Sequence, residues 1–205
     1  MFQPLHYLDL TGTFIFALSG ATVGVRQDFD IFGVFVLAFT TATGGGIIRD
    51  ICIASAPPAG LVSSTYLIAV FLAIFCVTFL QKIILSFTKS ALFFDALGLG
   101  FFAAFGANKS YQYTGNIQIS VILGCISAIG GGCLRDILTG QVPTIFKQEI
   151  YASAAIVGAG IELLGSTKCI PQSYSIWLAI LTCTAIRMLA LKYHIRLPSI
   201  RHDGL

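Results

Sequence analysis

Two heptapeptides in this chain bring glycine, arginine and aspartate together in one order. They are Gly44-Gly45-Gly46-Ile47-Ile48-Arg49-Asp50 and Gly130-Gly131-Gly132-Cys133-Leu134-Arg135-Asp136. Arginine and aspartate can hold an ion, a zwitterion or each other. Glycine costs about 1 kcal/mol relative to alanine inside a helix, so three in succession mark a weak point or a close approach of another helix. Consecutive residues fall on different helix faces, which favours a kink or break over packing alone. A break would leave free carbonyls near Thr43 and Ile129, and free amides near Ile47 and Cys133. The carbonyls could coordinate a cation and the amides could hold an anion or a carboxylate. The residues alone leave both open.

Each motif needs partners. Adjacent helical residues point about 100° apart, so Arg49 and Arg135 are expected to reach other spans, with Asp9, Asp95 or the opposing motif as candidates. Asp9 and Asp95 could equally cap the starts of their helices. A structural role for the Arg-Asp pairs stands level with a pore-lining one. Hydroxyls gather before the triplets: Thr40, Thr41, Thr43 and Ser127, with Thr11, Thr13 and Ser19 on the first span. They could line a wet path or bond back to their own helix. Glu162, near a span end, reads as interfacial; Arg187 reads as snorkelling to the surface or binding a lipid phosphate.

The elements that must carry these residues are strongly apolar. Hydrophobic residues make up 56% of the 205-residue chain and charged residues 10%. Mean hydropathy is +0.88. A soluble domain carries about a quarter charged residues, so this reads as an all-α integral membrane protein. The net charge of +3 is too small to suggest nucleic acid. Seven apolar spans are expected, at Leu5–Arg26, Ile31–Ala54, Leu61–Leu85, Ala91–Ala107, Asn116–Leu138, Ile150–Leu164 and Tyr174–Leu191. The six cysteines form no C-x-x-C pair and read as small packing residues, and the three histidines show no ligand spacing; no metal or cofactor is expected.

Arg49 and Arg135 stand 86 positions apart, and the same offset aligns Asp9 with Asp95, Gly12 with Gly98, Phe16 with Phe102, Gly20 with Gly106 and Pro57 with Pro143. One unit has therefore been used twice. Residues 1–88 form a first three-helix repeat, 89–168 a second, and 169–205 a seventh helix with a tail. Three spans per repeat is an odd number, so the second repeat must enter the membrane inverted. Alternate connections hold Arg26, Lys82, Lys89 and Lys147, and the tail adds Lys192, Arg196 and Arg201, seven basic residues against Lys109 and Lys168 opposite. That places the C-terminus in the cytoplasm and the N-terminus outside.

The duplicated Gly-Gly-Gly-x-x-Arg-Asp motif, the seven spans and the compact length resemble the trimeric intracellular cation (TRIC) channels and their bacterial relatives, a group also labelled as glycine-transporter-type membrane proteins. The resemblance covers nearly the whole chain. It implies a homotrimer in lipid, each subunit holding its own pore lined by bent second and fifth helices and passing potassium and other monovalent cations. Gly44 to Gly46 and Gly130 to Gly132 would be the kinks, with Arg49, Asp50, Arg135 and Asp136 near the constriction. The long basic tail of the animal members is missing after Arg201, which points to a bacterial inner membrane. Two functions compete: a passive cation channel, and a secondary transporter of a small zwitterion such as glycine. An enzyme lacks support, since the chain has no Ser-His or Cys-His arrangement, metal motif or phosphate loop.

Overall fold

A computed structural model describes residues 3–87, 89–147 and 150–195. Arg196, Arg201 and His202 lie outside them. The described chain is helical, with no strand among these residues. Its elements are α1 (Gln3–Arg26), α2 (Ile31–Cys52), α3 (Ala59–Val62), α4 (Ser64–Phe79), α5 (Gln81–Ser86), α6 (Ser90–Thr114), α7 (Ile117–Leu138), a 3-10 turn (Thr144–Phe146), α8 (Ala152–Ser166) and α9 (Gln172–Tyr193).

Five helices (α1, α2, α6, α7 and α9) are long and apolar enough to cross a membrane, while α4 and α8 are shorter apolar helices. The expected third span, Leu61–Leu85, is divided among α3, α4 and α5. The expected fourth, Ala91–Ala107, runs on to Thr114. Its extension carries Asn108 and Lys109, polar residues that read as a loop in sequence yet are buried at 2% and 5% exposure. Lys109 is therefore not a loop charge.

Matching chemistry starts α2 and α7. Asp30 accepts from Gly33 N at 2.7 Å, and Asn116 accepts from Ile119 N at 3.0 Å, each satisfying an amide of the first helical turn. Gly115, at φ 63°, ends α6 in the left-handed conformation that glycine adopts without strain.

Large apolar side chains face outward, among them Phe71, Phe75, Phe79, Leu72 and Leu181. The interior is built from alanine, glycine and small hydroxyl residues, which let helix backbones approach closely. Phe16 of α1 stacks on Phe102 of α6 with ring centroids 5.2 Å apart. A Cβ on Gly12 would meet Phe101, and one on Gly98 would meet Phe16, so α1 and α6 run antiparallel.

Candidate functional site

The helices α2 and α7 cross at the glycine triplets. A Cβ on Gly45 would overlap the Ser127 carbonyl, and one on Gly131 would overlap the Thr41 carbonyl. Gly130 faces Gly45 directly, its Cβ position 3.0 Å from the Gly45 Cα. Residue numbers rise on one helix as they fall on the other, so this pair too is antiparallel.

The expected break into half-helices is not present. Helical structure runs without interruption through Gly44, Gly45, Gly46 and through Gly130, Gly131, Gly132. The packing explanation, set aside because the triplets span several faces, holds because neighbours stand on several faces. Gly44 faces the Leu134 side chain, Gly45 and Gly131 face backbone, and Gly132 faces the Tyr151 hydroxyl and Asp95.

Beyond each triplet the Arg-Asp motif closes on itself, contrary to the expectation from helix geometry. Arg49 donates through Nε and Nη2 to Asp50 Oδ1 at 2.9 and 2.8 Å. Arg135 does the same to Asp136 Oδ1 at 3.0 and 2.8 Å. The long arginine stem curls round the helix and covers the 100° between them. The other carboxylate oxygen fixes the following loop. Asp50 Oδ2 accepts from Ala59 N at 3.2 Å, and Asp136 Oδ2 accepts from Thr144 N and Oγ1 at 2.9 and 2.8 Å.

Asp9 and Asp95 are not caps. They sit inside α1 and α6 at 3% and 0% exposure. Asp9 accepts from the Tyr66 hydroxyl, and Asp95 from the Tyr151 hydroxyl at 3.3 Å. Asp95 also takes Arg135 Nη1 at 2.7 Å, as the expected cross-span partner. Arg135 Nη1 further bonds Ser19 Oγ at 2.7 Å, and Ser19 donates to the Ala91 carbonyl. Arg49 turns its Nη1 to Ser127 Oγ at 3.3 Å and rests over the Phe105 ring at 5.0 Å.

Sequence reasoning missed Lys109, whose Nζ lies 2.8 Å from Asp50 Oδ1. Its only signal was the odd run Asn108-Lys109-Ser110 directly after an apolar span. Arg187 does not snorkel; it is fully buried, with its guanidinium 4.9 Å from the Tyr151 ring centroid. Glu162 is likewise fully buried rather than interfacial. Of the hydroxyls, Thr41 and Thr43 donate back to the Leu37 and Phe39 carbonyls of their own helix. Thr40 is half-buried.

Two charge clusters result. One joins Asp9, Arg49, Asp50, Tyr66 and Lys109; the other joins Asp95, Arg135, Asp136 and Tyr151. In both motifs the arginine stands three positions after the last glycine, and the helices are antiparallel, so the clusters lie on opposite sides of the α2–α7 crossing.

An apolar outer surface, five spanning-length helices and ion pairs buried between them define a multi-pass helical membrane protein. A family model described as "Glycine transporter" matches residues 6–82 and 92–167. The UPF0126 inner membrane protein YadS of Escherichia coli (strain K12) is 32% identical over 201 residues, covering 97% of each chain. A UPF0126 membrane protein of Deinococcus radiodurans is 39% identical over 160 residues, covering 77% of this chain and 74% of its own. The chain belongs to this family of bacterial membrane proteins. Its fold is that of the TRIC cation channels, as the duplicated motif indicated. A chain solved to give the structural basis for conductance through TRIC cation channels has TM-score 0.85 and 35% identity, covering 98% of both chains. The TRIC trimeric intracellular cation channel orthologue from Rhodobacter sphaeroides has TM-score 0.86 and 31% identity, covering 93% of this chain and 98% of its own. These solved relatives are ion channels, not enzymes.

Proposed function

We propose that this protein is a monovalent cation channel, with potassium as its main permeant ion and a separate path within each subunit of a homotrimer. The observation that carries the reading is whole-chain likeness to solved TRIC cation channels, at TM-score 0.85 and 98% coverage. The trimer is supported by an orthologue described as trimeric. The path runs between two inverted repeats, 1–88 and 89–168, with residues 169–205 completing the subunit. The antiparallel crossings of α1 with α6 and α2 with α7 support that arrangement. So do the two matched segments of the family model, whose starts at residues 6 and 92 stand 86 positions apart.

In this reading the triplets bend α2 and α7 within continuous helices rather than breaking them. The clusters flank the crossing. A permeant cation would exchange with Lys109 for Asp50, while Arg49 and Arg135 keep the site closed to anions by holding the carboxylates in place. The N-terminus faces outward and the C-terminus the cytoplasm of a bacterial inner membrane, an orientation supported by the excess of Lys and Arg in alternate connections.

The family model's description favours a second reading, transport of glycine, with an arginine taking its carboxylate and an aspartate its amine. Single-channel recording in planar bilayers under asymmetric potassium chloride separates the two. Discrete current steps reversing near the potassium potential are expected. Silent bilayers together with saturable glycine uptake into liposomes would replace the channel with the transporter.

A further inference from the structure

A third polar centre lies away from both clusters. Glu162 of α8 is fully buried, yet no lysine, arginine or histidine among the described residues forms an ion pair with it. Neutral donors surround its carboxylate. Asn108 Nδ2 donates to Oε1 at 2.8 Å, with Gln172 Nε2 and Ser166 Oγ on the same oxygen, and Ser175 Oγ donates to Oε2 at 3.0 Å. The donors come from α6, α8 and α9, so one carboxylate ties three helices together.

Asn108 is used at both ends, since its Oδ1 also accepts from Gln112 Nε2 at 2.8 Å. Its side chain is therefore fixed. The next residue on α6 is Lys109, which reaches Asp50 of α2. Neighbours on a helix point about 100° apart, so this single turn of α6 is gripped from two sides. Four side-chain donors converge on this one carboxyl group, so the grip is fixed in geometry.

We infer that Glu162 is a positioning residue for the Lys109–Asp50 pair: through Asn108, the α8–α9 hairpin holds the α6 turn that presents Lys109 to the first charge cluster. The electrical part of this inference rests on the channel reading above.

The test is a double-mutant cycle in planar bilayers, on purified trimers of wild type, Glu162→Gln, Lys109→Met and the double variant. Glu162→Gln is expected to change open probability by about twofold or more, the lower range for side chains in one network, and to do nothing further once Lys109 is methionine. An equal change in both backgrounds, or none in wild type, overturns the inference. Should Glu162→Gln fail to assemble, Asn108→Ala, which leaves Glu162 its other three donors, takes its place with the same expectation. A structure of either variant supplies a readout independent of current. The Lys109–Asp50 separation is expected to open from 2.8 Å beyond ion-pair distance, and an unchanged pair overturns the inference. Silent wild-type bilayers would count against the channel reading alone, leaving the structural arm to decide this one.

Discussion

The two charge clusters are built from corresponding residues and closed in different ways. In the second, Arg135 bonds both Asp95 and Asp136, so one guanidinium locks α6 to α7. In the first, Arg49 bonds Asp50 and reaches Ser127, while Asp9 is held by the Tyr66 hydroxyl and a second cation, Lys109, completes Asp50. Position 19 carries serine, a bonding partner for Arg135; its counterpart 86 residues on is Phe105, which offers Arg49 only a ring face. A duplicated unit has thus diverged into a closed lock and a cluster whose final cation sits on a flexible stem. A lysine is a mobile point charge, whereas a bidentate arginine is held by its plane. In the proposed channel, the first cluster is the side on which a permeant ion would compete.

The largest effect should come from the crossing the clusters share. Gly45→Leu or Gly131→Leu places side-chain atoms on a facing backbone carbonyl that cannot move aside, so α2 and α7 must separate and lose their shared packing. A marked fall in trimer melting temperature is expected, whereas Gly160→Leu, where nothing lies within 4 Å, should leave it unchanged. An unaltered Gly45→Leu trimer would mean that the backbones do not touch.

The next tests break the lock and the latch separately. Arg135→Met strands Asp95 and Asp136 together, and removing one partner of a buried pair costs about 3–5 kcal/mol. Arg49→Met should cost less, since Lys109 remains on Asp50. Equal losses of melting temperature in the two variants would erase the asymmetry. Lys109→Met should leave trimers assembled, because Arg49 still pairs with Asp50, and should raise potassium conductance or open time in bilayers. Unchanged currents would remove Lys109 from the path. The smallest effect sharpens the comparison at the loops. Thr144→Val deletes one hydroxyl bond to Asp136 and should cost about 1–3 kcal/mol in thermal unfolding. The corresponding loop at Ala59 has only a backbone amide to offer Asp50, so no side-chain change there can reproduce it.

Much of this was legible in the residues. Helical, membrane-spanning character followed from composition, and the 86-residue offset picked out Asp9, Arg49, Asp50, Asp95, Arg135 and Asp136, all of which lie buried in the two clusters. The misreadings share one cause. Lys109, Glu162 and Arg187 looked like charges at segment ends, where lysine, glutamate and arginine usually meet water. Each is buried because a partner from a distant helix arrives: Asp50 for Lys109, Asn108 and Ser175 for Glu162, the Tyr151 ring for Arg187. Local sequence carries no trace of those partners. The expected break at the glycine triplets failed in the same way, since a neighbour on each face cannot be seen from one helix alone.

By itself, the sequence determined that the chain is helical, that it crosses a membrane and that one unit is used twice. These properties depend on composition and on order along the chain, which an apolar solvent reads locally. Only the tertiary structure decided that α2 and α7 stay whole where their backbones meet, that each arginine closes on its neighbouring aspartate, and that Lys109 joins Asp50 in the first cluster. Those outcomes depend on which groups approach within a few ångströms in a low-dielectric interior, where an unmatched charge or a misplaced methyl is costly.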